Sequence, residues 1–322
     1  MTGRATAPDW RERVAGWVQL AHPGPSLATT FVTAASARAA AAGWAAGAAR
    51  SRTAWATAAM ALAQVSTGSL NDWADAARDA LGQPYKPIPR GRVGRPAAAG
   101  LAVACALGAL ATARPLGAPA GRWLGLGLAA GWSYDLGLSG SACSPIPFMV
   151  GLAAVPMVGV RAIDPHAPVR RSLLPLALVL ALAAHLANGA PDAATDSRHG
   201  RRSLPARLGT AASWRAARLG IACAGAGVVT AAPPGRRGRA LGWVLGAGAV
   251  VALDRLRSDG ARRPESTPFV GQVVASLLLA SGWLSGGWRA SSRPGRGAGP
   301  AAIRPPLAPA RRRDAAPRRA AG

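Results

Sequence analysis

Residues 71–79 read Asn-Asp-Trp-Ala-Asp-Ala-Ala-Arg-Asp and directly follow a long apolar run. On a helix turning about 100° per residue, and with Asn71 as origin, Asp75 falls near ~40°, Asp79 near ~80° and Asp72 near ~100°. Four oxygen-bearing side chains therefore share one arc. Carboxylates so crowded repel one another unless cations lie between them. Hard oxygen ligands suit Mg²⁺, which takes one or two carboxylates and completes its shell with water or phosphate oxygens. A solvated helix end would give the same spacing, but acids that abut a membrane-type apolar run are costly and usually functional.

A second cluster closes a later apolar run: residues 188–196 read Asn-Gly-Ala-Pro-Asp-Ala-Ala-Thr-Asp. Asn188, Asp192 and Asp196 repeat the i, i+4, i+8 spacing of Asn71, Asp75 and Asp79. The chain has two Asn in all, and each begins one of these clusters. Five of its eleven Asp lie within them. Pro191 weakens the one-face argument here, because an unbroken helix through it is doubtful. The plain reading is a polar loop.

Cations follow both clusters. Lys86, the sole Lys, and Arg90 lie in Lys-Pro-Ile-Pro-Arg-Gly over 86–91. Positive charge beside an acidic, metal-suited cluster fits a polyanion such as a diphosphate, although a basic membrane-flanking loop would look alike. Arg198, Arg201 and Arg202 trail the second cluster. Tyr134, one of two Tyr, ends another apolar run beside Asp135. Its ring face could contact a carbocation, or it could anchor a helix at the membrane interface. His185 stands one turn before Asn188, where a packing histidine is the plain expectation. His22, His166 and His199 form no constellation, and no Ser/His/Asp arrangement is readable.

The elements that must position these groups are apolar. Half of the 322 residues are hydrophobic and 16% are charged, against about 25% charged in a soluble globular protein. Net charge is +25, but the charges sit between apolar runs rather than in one patch. That argues against nucleic-acid binding. Cys105, Cys143 and Cys223 show no Cys-x-x-Cys spacing, and Cys105 and Cys223 are expected in the core. Runs suited to spanning a bilayer cover 14–37, 53–71, 96–113, 115–134, 136–160, 172–191, 219–235, 240–253 and 266–288. The first and eighth are the weakest. Glycine pairs at four-residue spacing (Gly43/Gly47, Gly121/Gly125, Gly127/Gly131, Gly282/Gly286) are expected to serve helix packing. Gly125 and Gly127 follow no strand, so no dinucleotide loop is read there.

The fold expected is an all-α polytopic bundle of about nine transmembrane helices around a central cavity. Residues 1–14 form a cytoplasmic segment, 15–289 the membrane domain, and 290–322 a basic Pro/Ala/Arg-rich tail expected to be disordered. No cleaved signal peptide is read at the N-terminus. Loops on the N-terminal side hold more Arg and Lys than those opposite, which places that side in the cytoplasm. The tail, with eight Arg, conflicts with this by landing on the far side.

These residues resemble the UbiA-type intramembrane prenyltransferases, bacterial actinobacterial-like branch. The first family signature is Asn-Asp-x-x-Asp-x-x-x-Asp followed by a basic Pro loop, here 71–79 and 86–91. The second is Asp-x-x-x-Asp, here Asp192 and Asp196, followed by Ser-Leu-Pro-Ala-Arg-Leu-Gly over 203–209. Tyr-Asp-Leu-Gly-Leu over 134–138 is similar too. The resemblance covers roughly 15–290. One departure concerns a Lys that members often carry a few residues after the Tyr: this chain has Leu138 and Ser139.

The resemblance implies an enzyme that moves a prenyl group from an allylic diphosphate to an electron-rich acceptor with two Mg²⁺ ions, in the plasma (inner) membrane and with its site facing the cytoplasm. The implied metal ligands are Asn71, Asp72, Asp75, Asp79, Asn188, Asp192 and Asp196. Lys86, Arg90 and Arg198 would hold the diphosphate, and Asp75, Asp79, Asp192, Asp196 and Tyr134 would form the catalytic set. The partners implied are a prenyl diphosphate, a small-molecule acceptor and the lipid bilayer, without nucleic acid. An aromatic, quinone-precursor-like acceptor leads; a sugar phosphate, glycerol phosphate or porphyrin remains open. So does a transporter with intramembrane acids. Acceptor, prenyl length and oligomeric state are not legible.

Overall fold

The computed structural model describes residues 9–169, 171–260 and 267–285. Its helices are α1 (Trp10–Leu20), α2 (Pro23–Ala40), α3 (Ala46–Gly82), α4 (Arg95–Ala113), α5 (Ala118–Asp135), α6 (Pro145–Ile163), α7 (Leu173–Gly189), α8 (Ala193–Arg198), α9 (Leu204–Leu208), α10 (Thr210–Ala231), α11 (Arg237–Gly260) and α12 (Thr267–Ser285). Among the described residues there is no strand. The tail expected over 290–322 and the first eight residues lie outside them.

Local chemistry sets several helix ends. Asp9 and Glu12 cap α1 reciprocally, at 2.7 and 3.3 Å. α2, α4, α5 and α6 each carry Pro in their first turn, where the missing N–H removes no helical bond. Each of the nine expected spans meets one long helix, in order: α2 to α7, then α10 to α12. Two of them, α4 and α6, are both long and strongly apolar. α7 and α12 are strongly apolar over a shorter stretch, and the rest dilute Leu and Val with Ala, Gly and Arg.

The long helices alternate in direction. α3 has 37 residues, about 55 Å at 1.5 Å rise. That exceeds a hydrocarbon layer of about 30 Å, so its acidic C-terminal turns extend past the apolar part. The C-terminal ends of α3, α5 and α7 and the N-terminal ends of α2, α4, α6 and α10 share one end of the bundle. At the other end, Arg52 of α3 donates from Nε to the Ala162 carbonyl and from Nη2 to the Leu116 carbonyl at 2.8 Å. It thereby satisfies terminal carbonyls where α3, α6 and the α4–α5 junction meet.

The core is built largely of Ala, with Leu, Val, Ile and Met between. Small side chains let backbones approach. A Cβ at Gly159 of α6 would stand 2.3 Å from the Thr33 carbonyl oxygen and 3.0 Å from the Ala37 nitrogen of α2. Of the expected glycine pairs, Gly127, Gly131 and Gly282 do pack, against Ala154, Thr67 and Trp243. Gly43, Gly47, Gly121 and Gly125 face open space, and Gly286 lies outside the described residues. Cys105 is buried as expected, but Cys223 is exposed. It lies on α10 among exposed apolar residues, the surface a lipid-facing helix needs.

Candidate active site

A cavity of about 780 Å³ opens at the end where α3, α5 and α7 finish. Its deep walls are apolar, including Met60, Leu124, Leu128, Leu152, Val155 and Leu176. Its mouth carries Asn71 and Asp75 on α3 and Asn188, Asp192 and Asp196 around the α7–α8 break. The sequence places these acids more than a hundred residues apart; the antiparallel return of α7 brings them to one rim. α7 stops at Gly189, and α8 starts two residues after Pro191. Pro191 has no N–H to continue the helical ladder, so Asp192 becomes the residue that precedes α8 and Asp196 lies inside it.

The arc expected on α3 is divided. Asn71 and Asp75 face the cavity, and the Asn71 amide donates to Asp75 at 3.4 Å and to Asp135 at 3.1 Å. Asp72 and Asp79 turn away from it and are almost fully buried. Lys86 bridges them, with Nζ 3.1 Å from Asp72 and 2.9 Å from Asp79. This corrects the expectation that all four groups face one ligand. An arc of about 100° on a helix is wide enough to meet two neighbours, and its outer half meets the 86–91 loop and His22. Burial alone would lower the Lys86 ammonium pKa, but the two carboxylates outweigh it and raise it above the usual 10.5.

His22, expected to join no constellation, lies 3.2 Å from Asp72 through Nε2. It adopts a left-handed backbone, φ 47°, at the α1–α2 turn. Gly68 makes room for the ring, since a Cβ there would stand 2.9 Å from His22 Cδ2.

The expected diphosphate cations also separate. Lys86 lines the cavity while held by its two acids. Arg90 is exposed and does not line it. Arg198 is exposed and bonds back to its own helix, at Ala194 O and Thr195 Oγ1. Both expectations are therefore corrected: a basic residue a few positions past an acid need not point where the acid points. Two other arginines take their place. Arg78 pairs with Asp75 and approaches Asp196 at 4.0 Å, so it spans both acidic elements. Arg201 lines the cavity, contacts Asp196 at 3.3 Å through Nε and donates from Nη2 to Ser139 at 3.1 Å. Their positions, Arg78 within the first cluster and Arg201 just after the second, were visible in the sequence; their direction was not.

Tyr134 lines the cavity below the rim. Its ring meets Phe148 edge-on with centroids 5.4 Å apart, and His185 at 5.9 Å. His185 is buried, and its Nε2 lies 3.1 Å from the Ser144 hydroxyl. It packs as expected and also borders the cavity.

The donor set fits a hard divalent cation. Among the described residues no three acidic, His or Cys side chains converge tightly enough to hold one ion alone. The rim acids are hard oxygen donors, the kind Mg²⁺ takes one or two of while water or phosphate oxygens fill its shell.

A helical bundle with an apolar cavity, rimmed by two facing sets of carboxylates and arginines, defines the class: a polytopic membrane-type helical protein with a polar-mouthed cavity. The model of the UbiA prenyltransferase family matches residues 26–286, and the chain belongs to that family. Its members are integral membrane proteins and prenyltransferases, which sets aside the transporter reading. The chain is 31% identical over 159 residues to the bacteriochlorophyll synthase 33 kDa chain of Rhodobacter capsulatus, a match covering 43% of this chain and about half (49%) of that relative. A UbiA homologue from Aeropyrum pernix superposes with TM-score 0.64 at 18% identity, covering 80% of this chain and 96% of that one. A UbiA homologue from Archaeoglobus fulgidus bound to GPP and Mg²⁺ gives 0.61 at 16% identity, covering 83% and 98%. At these identities the structural likeness establishes the fold, a UbiA-type helical bundle.

Proposed function

We infer that this chain transfers a prenyl group from an allylic prenyl diphosphate to an electron-rich, quinone-precursor-like aromatic acceptor. The observation that carries this is the rim: Asn71 and Asp75 from one element and Asp192 and Asp196 from another face a single apolar cavity. An ion-bound diphosphate at the rim would leave the prenyl chain pointing inward along Leu124, Leu128 and Val155. The likeness to a homologue bound to GPP and Mg²⁺ supports the same donor. The domain responsible is proposed to span 15–289, with 290–322 as an appended tail.

Asn71, Asp75, Asn188, Asp192 and Asp196 would hold two Mg²⁺ ions, which supply charge neutralisation that makes diphosphate a better leaving group. Asp72 and Asp79 act through Lys86, which they keep charged and fixed at the rim. The allylic C1–O bond breaks and its electron pair leaves with the diphosphate. The acceptor carbon supplies the pair for the new C–C bond, and its proton passes to a base. The Tyr134 ring, held edge-on by Phe148 and His185, presents π-density near the developing cation. The apolar walls keep water from capturing that cation.

The site is proposed to face the cytoplasm across the plasma membrane. Lys86, Arg90, Arg92, Arg95, Arg202 and Arg207 lie in the connections at this end of the bundle, as positive-inside asymmetry requires. A porphyrin-type acceptor is the second reading, favoured by the likeness to bacteriochlorophyll synthase.

The test is pyrophosphate release by purified protein with geranyl, farnesyl and geranylgeranyl diphosphates, Mg²⁺ and a panel of aromatic and porphyrin acceptors. Release that requires Mg²⁺, an acceptor and Asp75 supports the reading, and product mass then names the acceptor. Failure of the wild type to bind any prenyl diphosphate in the presence of Mg²⁺ refutes it.

A further inference from the structure

Three cations stand at the rim, and they are not equivalent. Lys86 is already neutralised by two buried carboxylates, at 3.1 and 2.9 Å. Arg78 has its guanidinium committed to Asp75, and its side chain is 43% exposed. Arg201 is different. Its side chain is 25% exposed and lines the cavity. Among the described residues, only one of its five N–H donors makes a hydrogen bond, from Nη2 to Ser139. Its Nε is buried with no hydrogen-bond partner, since the 3.3 Å contact with Asp196 lacks hydrogen-bond geometry.

The placement of Arg201 is built rather than incidental. A Cβ at Gly140 would stand 3.1 Å from Arg201 Cζ, 3.2 Å from Nη1 and 3.4 Å from Nη2. All three atoms are thus nearly equidistant from it, so the guanidinium lies flat against the turn after α5. The backbone clamps the same two segments together, with Arg202 N–H donating to the Gly140 carbonyl at 2.8 Å. A planar fork with unspent donors, facing the acidic rim and backed by a glycine, is suited to bidentate contact with phosphate oxygens.

We propose that Arg201 supplies the diphosphate-holding charge of the second acidic element, and that it delivers this charge to the spot occupied in sequence by Ser139. Resting on the prenyl-diphosphate reading above, this assigns the contact to a residue that reaches in from the α8–α9 connection. Arg198 and Arg90, closer in pattern to the motifs, do not reach it. Asp196, 3.3 Å from Nε, holds the guanidinium in place. With a divalent cation held by Asp196, the unspent N–H groups of the guanidinium would be available to phosphate oxygens.

Because the charge and its chain origin are separable, the proposal has a relocation test. Full-length protein in detergent is titrated, with Mg²⁺, against geranyl S-thiolodiphosphate and against inorganic pyrophosphate. Arg201→Gln keeps a donor for Ser139 but removes the charge. It is expected to weaken both probes by about tenfold to a hundredfold, the range for a lost hydrogen bond to a charged group. Two relocations, Ser139→Lys with Arg201→Gln and Ser139→Arg with Arg201→Ser, put the charge back from the other segment. Recovery of most of the affinity by either supports the assignment, because a merely structural role of Arg201 would not be rescued from position 139. The exposed Arg207→Gln, off the cavity, is the charge-matched control and should bind as wild type does. Unaltered affinity in Arg201→Gln overturns the proposal, as does weakened binding that neither relocation restores. A wild type that binds neither probe overturns the diphosphate reading itself, which separates the two failures.

Discussion

Replacing Lys86 by Met removes the one ammonium that neutralises Asp72 and Asp79. The two carboxylates differ in what remains to them. Asp72 keeps His22 at 3.2 Å. Asp79, with a side chain 2% exposed, has Lys86 as its side-chain partner. Breaking a buried pair by deleting one member costs about 3–5 kcal/mol, because it strands the other charge. With one acid stranded rather than two, the lower end, about 3 kcal/mol, is expected. That is a large part of a typical total stability of about 5–15 kcal/mol. The cure follows from the same geometry. Lys86→Met with Asp79→Asn exchanges the stranded charge for a buried amide, whose unmet hydrogen bonds cost only about 1–3 kcal/mol. The double variant should therefore be more stable than the single one, and adding Asp72→Asn should change little. The assay is unfolding of micelle-bound protein by SDS titration, followed by helical circular dichroism. The pH dependence has a definite sign. The Lys86 pKa is raised on folding, so its contribution is complete below 10.5 and is lost as pH rises past that value. The wild type should converge on the Lys86→Met single variant, and only in that alkaline range. A loss below about 1 kcal/mol in Lys86→Met, the size of an exposed pair, would refute the reasoning. So would a double variant no more stable than the single.

Asp75→Ala and Asp192→Asn should each lower Mg²⁺-dependent pyrophosphate release by about a hundredfold or more, the scale of losing a charge-stabilising group at the reacting bond; equal rates in wild type and variants would remove the acids from the reaction. Arg90→Gln and Arg198→Gln should change diphosphate affinity by less than about fivefold, as exposed charges do, and a larger loss in titration would show that either side chain reaches the rim. Gly159→Val should lower the melting temperature and destabilise by about 1–3 kcal/mol or more through overpacking, since its Cβ would meet the Thr33 carbonyl at 2.3 Å; a variant as stable as wild type would mean that α2 and α6 separate freely.

The helices were legible because their cause is local. Apolar runs of membrane length and first-turn prolines act within a few residues, and each expected span meets one long helix in the structure. The acidic clusters were legible for a similar reason: in a chain with two Asn and thirteen acids, their repeated spacing stands out. The break at Pro191 could also be foreseen, because a missing N–H is a property of the residue itself. Tertiary structure decided which way each polar side chain faces. Asp72 and Asp79 share an arc with Asn71 and Asp75, and only the 86–91 loop and His22, packed on one flank of α3, divide that arc into a buried network and an open rim. Arg201 and Ser139 are sixty-two positions apart and meet because the return of α7 and α8 lays one turn across another. Sequence spacing determines the angle between neighbours on one helix. Which wall each angle meets depends on helices contributed from far along the chain, and that placement separates a structural carboxylate from one that can face an ion.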